Sequence, residues 1–151
     1  MTKDLLKIRK ISWLTPTHQI ILLVLAYLAS VLYFQNAPSW HVIFAPLYEE
    51  VIFRAFVLGG LLSLYGKNTA IWLSAFLFGL WHLKNLTFMP LNDVLYQAAY
   101  AGLILGPFLA WLTLRTKSIW LGVLIHTANN VLLSPLSWWL VSVLGASFMV
   151  K

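Results

Sequence analysis

Two adjacent glutamates lie inside a long apolar segment, where carboxylates are costly to bury. Glu49 and Glu50 are two of only four acidic residues in the chain, and both fall within the apolar stretch 40–65. A charged side chain at the centre of a membrane helix costs on the order of 2.5–3.5 kcal/mol on insertion scales, and such residues usually face a bundle interior. Side chains kept at this cost are candidates for proton transfer, metal binding or ion pairing.

Helical spacing gives the two glutamates different neighbours. Glu50 and Arg54 are four residues apart, which places them on one helix face and predicts an ion pair. Glu49 points about 100° away around a helix of 3.6 residues per turn and must face something else. Pro46 removes a backbone donor just before it and is expected to admit water. A purely structural interpretation pairs Glu50 with Arg54 and satisfies Glu49 with a hydroxyl or amide, but an extra buried carboxylate favours a functional role.

Two histidines also lie in the middle of apolar stretches. Phe78 and His82 are one turn apart, as are His126 and Asn130. A lone histidine in a membrane helix more often forms a hydrogen bond between helices. Counted from the same predicted end of their stretches, Glu49, His82, His126 and Asn130 lie within roughly one or two helical turns of a common layer. The sequence therefore predicts that these four side chains can meet.

A cluster of this composition could hydrolyse an amide bond inside a membrane. A buried carboxylate with an imidazole partner can activate water, and a second imidazole with an amide can donate hydrogen bonds to an oxyanion. Alternatively, Glu49, His82 and His126 could hold a zinc ion with a bound water. The His-Glu-x-x-His spacing of many zinc proteases is absent, as are Gly-x-Ser-x-Gly and paired membrane aspartates. The missing spacing weakens the zinc interpretation without excluding it, so zinc stays the alternative to the metal-free chemistry.

Apolar stretches must position these residues. Six can be marked, and they run over 18–35, 40–65, 69–88, 94–114, 118–134 and 136–150. A bilayer crossing needs roughly 20 apolar residues, so the prediction is an all-α, polytopic membrane bundle of about six transmembrane helices. Residues 1–17 form a basic, interfacial N-terminus, and 18–150 form a single membrane domain. The run Gly102-x-x-x-Gly106-x-x-x-Ala110 predicts close helix packing, more readily within one bundle than between copies.

Composition supports this class and excludes others. Of the 151 residues, 61% are hydrophobic and only 9% are charged, against about 25% charged in soluble domains. The mean hydropathy is +0.84. Soluble enzymes, nucleic-acid-binding domains and disordered tails are therefore excluded, and the net charge of +6 is assigned to contacts with lipid rather than nucleic acid. With no cysteine, disulfide and thiolate chemistry are also excluded.

The positive charges predict an orientation. With six crossings and a cytoplasmic N-terminus, nearly all of them fall on the cytoplasmic side, namely Lys3, Lys7, Arg9, Lys10, Lys67, Arg115, Lys117 and Lys151. Only Lys84 falls on the outer side among loop or end positions. Since cytoplasmic loops are enriched in Lys and Arg, both termini are expected in the cytoplasm.

Three motifs in this order resemble the CPBP family, which is the type II CAAX prenyl protease and bacteriocin-processing (Abi) group. They are Glu49-Glu50-x-x-x-Arg54, Phe78-x-x-x-His82 and His126-x-x-x-Asn130, and the resemblance covers about 45–131. It implies an intramembrane endopeptidase of the bacterial plasma membrane. Members are often labelled metallopeptidases.

The resemblance also implies a role for each motif residue. Glu49 and His82 would activate water, and His126 and Asn130 would form the oxyanion site. Glu50 and Arg54 match supporting positions in the first motif.

Three functions are compatible with these residues. The first is an endopeptidase acting on a membrane-embedded or lipidated peptide or protein. The second is a non-catalytic bacteriocin self-immunity or accessory protein on the same scaffold. The third is a small transporter-like bundle in which Glu49 is a proton site. The sequence leaves the substrate and the oligomeric state open.

Overall fold

The computed structural model of the chain describes residues 16–34 and 41–133, and within these ranges the regular structure is entirely helical. Helices follow one another with short connections and build five continuous rods. The first rod is α1 (Pro16–Phe34). The second joins α2 (His41–Glu50), a π-helical segment (Val51–Leu58) and α3 (Gly59–Leu64). In this part of the chain the predicted all-α class is confirmed.

The other three rods also combine helix types. The third contains α4 (Lys67–Trp81) and a 3-10 segment (His82–Thr87). The fourth joins α5 (Leu91–Tyr100), a π-helical segment (Ala101–Leu105) and α6 (Gly106–Thr116). The fifth joins α7 (Trp120–Ala128) and a π-helical segment (Asn129–Leu133).

The five rods occupy the first five predicted apolar stretches. Of the described helices, only Leu91–Thr116, with 26 residues, is long and apolar enough to cross a membrane by length and composition, and Thr17–Leu32 is a shorter apolar helix. The sixth stretch, 136–150, and nearly all of the basic segment 1–17 lie outside the described residues. The number of six crossings therefore stays a prediction.

The rods end where the sequence supplies turn formers. Gly66 has an extended backbone between α3 and α4, and Pro90 precedes α5. Lys117 ends α6 with a left-handed backbone, at φ 55°, which is the conformation that commonly terminates a helix. The breaks predicted near residues 66–68, 89–93 and 115–117 are thus confirmed to within a few residues.

Helix α4 lies at the centre of the packing. It contacts α6 and the π-helical segments Val51–Leu58 and Ala101–Leu105. The buried core near the site is aromatic and consists of Phe53, Val57, Phe78, Trp81 and Ala101. A second cluster fills the other end of α4 and consists of Leu58, Ala70, Ile71 and Ala110.

Small residues bring α4 and the fourth rod together. A Cβ atom added to Gly79 would lie 2.8 Å from the carbonyl oxygen of Ala98 and 3.0 Å from Cα of Gly102. Gly106 is packed against Ala75 in the same interface. The predicted small-residue run 102–110 therefore packs within one bundle, because its glycines face α4.

The outward surface is strongly apolar. On α1 alone, more than two fifths of the surface of each of several large aliphatic residues is exposed, namely Ile20, Ile21, Leu22, Val24, Leu25, Leu28 and Leu32. Water-soluble monomers rarely expose apolar patches of this extent. The surface matches the predicted lipid environment.

At four positions an α-helix passes into π or 3-10 geometry next to a polar residue. The first π-helical segment begins directly after Glu50 and the 3-10 segment begins at His82. The second π-helical segment begins directly after Tyr100, and the third begins at Asn129. Short π and 3-10 stretches inside helices often mark functional sites. A functional site is therefore expected near these four positions.

Replacing Gly79 by alanine should destabilise the fold. The new methyl group would press on backbone atoms of the neighbouring rod, and overpacking of this kind costs about 1–3 kcal/mol. Thermal unfolding of the detergent-solubilised protein measures the effect. Gly66→Ala is the control, because nothing lies within 4 Å of an added Cβ there. Equal stability of the two variants would contradict the close approach of the helices.

Candidate active site

Glu49 is buried and both of its carboxylate oxygens face nitrogen atoms. Its Oε1 accepts a hydrogen bond from Trp81 Nε1 at 3.0 Å and lies 3.4 Å from Lys84 Nζ. Its Oε2 lies 3.7 Å from His126 Nε2. One oxygen is thus held by two donors, while the other faces the interior of the cluster.

Glu50 forms the predicted ion pair with Arg54. Oε2 of Glu50 and Nε of Arg54 are 3.0 Å apart, and both side chains are fully buried. The other oxygen, Oε1, lies 3.0 Å from His126 Nδ1. Gly122 lets α7 approach this closely, because a Cβ there would lie 3.2 Å from Glu50 Oε2.

His126 is held between the two glutamates. Because an ionised carboxylate only accepts hydrogen bonds, Nδ1 of His126 carries the proton in its contact with Glu50. Nε2 then points towards Glu49. The sequence predicted that His126 lies near Glu49, and the structure adds that Glu50 orients its ring.

His82 reaches the cluster from the end of α4. Its Nδ1 lies 2.9 Å from the backbone carbonyl oxygen of Phe78, which can only accept, so Nδ1 carries the proton. Nε2 of the neutral ring therefore holds the lone pair and can act as a base. The predicted one-turn spacing of Phe78 and His82 thus allows two contacts, the hydrogen bond from His82 to the backbone of Phe78 and the contact between the two rings.

Phe78 separates the polar groups and fixes their orientation. Both imidazole rings lie nearly perpendicular to the Phe78 ring, with centroid distances of 4.9 Å for His82 and 5.5 Å for His126. The guanidinium of Arg54 lies 4.8 Å from the ring centroid. Nη1 and Nη2 of Arg54 are buried and have no hydrogen-bond partner among the described residues. The phenyl face is therefore a main contact of this cation.

Lys84 was expected as a charge on the outer side, and the structure corrects its placement. Its side chain is only 3% exposed, pairs with Glu49 and lies 4.8 Å from the ring of Trp81. The burial follows from the 3-10 segment, which turns Lys84 back towards the bundle. Its position two residues after His82, within the apolar stretch 69–88, was the available sequence signal. The purely structural interpretation of the sequence gave Glu49 a hydroxyl or amide partner and did not include this lysine.

Amide side chains form two further hydrogen-bonded groups. Asn85 Nδ2 donates to Gln97 Oε1 at 2.6 Å, and Tyr100 donates to Asn129 Oδ1 at 2.7 Å. Asn129 Nδ2 in turn donates to Oδ1 of the predicted site residue Asn130 at 3.2 Å. Sequence reasoning missed Asn129, although it is the more buried of the two neighbours.

The same residues could be considered as metal ligands. Within residues 16–34 and 41–133, no group of three His, Asp or Glu side chains is arranged to hold a metal ion. The zinc alternative with Glu49, His82 and His126 stays a prediction.

An apolar helical bundle with ionisable side chains clustered between its helices belongs to the class of integral membrane proteins that perform chemistry or transport within the bilayer. More specifically, the family model described as type II CAAX prenyl endopeptidase Rce1-like matches residues 39–132. The chain therefore belongs to the Rce1-like family of membrane-embedded proteases. This confirms the resemblance seen in the three motifs, which lie inside the matched range. No curated protein and no solved structure matches the chain.

Removing the charge of Arg54 should strongly destabilise the protein. Arg54→Met would leave Glu50 buried without its cation, and breaking a buried pair in this way costs about 3–5 kcal/mol. Denaturant unfolding in detergent measures the loss. Arg115→Met is the matched control, because Arg115 is exposed on α6. A loss no larger than that of the control would show that Arg54 does not compensate Glu50.

Proposed function

We propose that this chain is an intramembrane endopeptidase that hydrolyses a peptide bond of a membrane-embedded or lipidated peptide or protein. Membership of a CAAX-protease-like family supports hydrolysis of peptides. The observation that carries the proposal is the buried carboxylate of Glu49, whose Oε2 faces His126, while the imidazoles of His126 and His82 both contact the ring of Phe78. A carboxylate with imidazole neighbours can activate water in a protected site.

The first step is the attack of water on the scissile carbonyl. Glu49, through Oε2, takes one proton from this water as the water oxygen bonds to the carbonyl carbon, and His82, through Nε2, accepts a hydrogen bond from the other O–H and orients the water. Trp81 and Lys84 hold Oε1 of Glu49, so Oε2 is the oxygen that faces the reaction. Their contacts fix the direction of the base before substrate binds, which favours catalysis.

The second step is the collapse of the tetrahedral intermediate. The carbonyl oxygen becomes an oxyanion, and His126 and Asn130 are its proposed donors, through Nε2 and Nδ2. With Nδ1 donating to Glu50, Nε2 of His126 donates in the imidazolium form. The carbon–nitrogen bond then breaks, and the proton taken from water passes to the leaving amine. The products are one new carboxylate and one new amine.

Glu50 and Arg54 have supporting roles in this proposal. Glu50 orients the ring of His126 through its contact with Nδ1, and Arg54 balances the charge of Glu50. A hydrogen-bonded partner that fixes the orientation of a catalytic histidine is a recurring feature of hydrolases.

The position of the basic residues supports an orientation with the site nearer the outer face and both termini in the cytoplasm of a bacterial plasma membrane. Lys67 starts α4, and His82 lies 15 residues later, about 22 Å away along a helix. Arg115 and Lys117 follow Tyr100 at a similar separation on the next rod. Lys67, Arg115 and Lys117 are exposed, whereas Lys84 is buried in the site and does not count as a loop charge. The bias of loop charges is therefore stronger than the sequence alone indicated.

Glu49→Gln should abolish peptide hydrolysis while the fold stays intact. Loss of a general base costs typically 10²–10⁴-fold in rate, because the amide cannot accept the proton of the attacking water. The measurement is product formation by purified protein from an unbiased library of membrane peptides, with and without a chelator. Asp93→Asn is the matched control, because Asp93 is a partly exposed acid in the first turn of α5 and has no role in the proposed mechanism.

The outcomes separate the alternatives. Product from the wild type and from Asp93→Asn, but not from Glu49→Gln, supports the proposal, and insensitivity to chelation supports the metal-free version. Loss on chelation with recovery on zinc addition would favour a metal. A folded wild type without product would favour the bacteriocin self-immunity or accessory function, and dependence on a pH gradient without product would favour a proton site.

Single cysteines can test the orientation, because the chain has none of its own. Leu91→Cys lies at the end of the rods near the site and is exposed, whereas Lys67→Cys lies at the opposite end. In intact cells, a membrane-impermeant maleimide should label Leu91→Cys and should reach Lys67→Cys only after permeabilisation. The reverse pattern would overturn the proposed orientation.

A further inference from the structure

A chain of hydrogen bonds leads from the fourth rod to Asn130. The hydroxyl of Tyr100 donates to Asn129 Oδ1 at 2.7 Å, and Asn129 Nδ2 donates to Asn130 Oδ1 at 3.2 Å. Tyr100 and Asn129 are 29 residues apart and belong to different rods. The contact therefore fixes the position of one rod relative to the other at the level of the site.

The direction of these bonds determines which atom Asn130 can offer. A side-chain amide has an oxygen that accepts and a nitrogen that donates. With the Tyr100 hydroxyl on its oxygen, Asn129 must present its nitrogen to Asn130. This nitrogen donates a hydrogen bond to Oδ1 of Asn130. The Nδ2 donor of Asn130 therefore points away from Asn129 and is available for a further acceptor.

The helix geometry at both ends of this chain supports its importance. A π-helical segment begins directly after Tyr100, and another begins at Asn129. The other two positions in the described residues where an α-helix passes into π or 3-10 geometry are directly after Glu50 and at His82, both within the proposed site. Tyr100 and Asn129 thus share a backbone feature with the residues proposed for catalysis, although neither belongs to the three sequence motifs.

We propose that Tyr100 is a positioning residue that acts through Asn129 to orient the amide of Asn130 for oxyanion binding. This inference rests on the proposed function, in which Asn130 donates to the oxyanion. Tyr100 does not touch the reacting atoms in this mechanism. It sets which face of the Asn130 amide is presented to them.

Tyr100→Phe removes only the hydroxyl and should reduce kcat about 10- to 100-fold, because small misplacements of a catalytic group have effects of this size. KM should be unchanged, since the donor acts on the transition state rather than on bound substrate. Asn129→Leu, which deletes the middle of the chain, should give a similar loss. Tyr65→Phe is the control, because Tyr65 is exposed in the turn before α4. The peptide cleaved fastest in the library assay serves as the substrate, and unfolding midpoints show that each variant is folded.

A double-mutant cycle distinguishes positioning from a merely structural role. If Tyr100 acts through Asn130, then Tyr100→Phe should have no further effect on kcat in the Asn130→Ala background. Full additivity of the two changes, or an unchanged kcat in Tyr100→Phe, would overturn the inference. These results leave the proposed function intact if Glu49→Gln is inactive. By contrast, an active Glu49→Gln variant or a wild type without product would overturn the proposed function, and this inference with it.

Discussion

The structure depends on how two carboxylates are compensated where water is scarce. A buried charge without a partner is costly, and here each glutamate has its own cation, Lys84 for Glu49 and Arg54 for Glu50. The two pairs leave His126 as the shared neighbour of both acids. Each carboxylate thus has a cation of its own, and His126 joins the two ion pairs into one network.

The backbone geometry follows from the need to aim these groups. A regular α-helix places only residues three or four apart on one face, yet Glu49 and Glu50 are adjacent and both point into the bundle. Their common neighbour His126 lies on α7, which approaches because Gly122 leaves room beside Glu50. On α4, the change to 3-10 geometry at His82 brings Lys84 back to Glu49. The irregular segments and small residues are thus parts of the site rather than defects of the helices.

Much of this could be predicted from the sequence, and the limits have physical causes. The apolar stretches located the five described rods, since hydrophobic length is a local property of the sequence. The pairing of Glu50 with Arg54 followed from i,i+4 spacing. Lys84 was misplaced because a lysine near a helix end is usually solvated, and its burial depends on a 3-10 turn that no local pattern specified. Tyr100 and Asn129 were missed because they are 29 residues apart in sequence and lie on different rods. No local pattern indicates such a contact.

The tight contacts of Glu49 also bear on how such a site would act. In the substrate-free arrangement, Oε1 is occupied by Trp81 and Lys84, and Oε2 lies 3.7 Å from His126 Nε2, which is longer than a hydrogen bond. The gap between these two atoms is too small to hold a bridging water. Under the proposed mechanism, an attacking water must therefore reach Oε2 of Glu49 from outside this gap, without displacing Trp81 or Lys84 from Oε1.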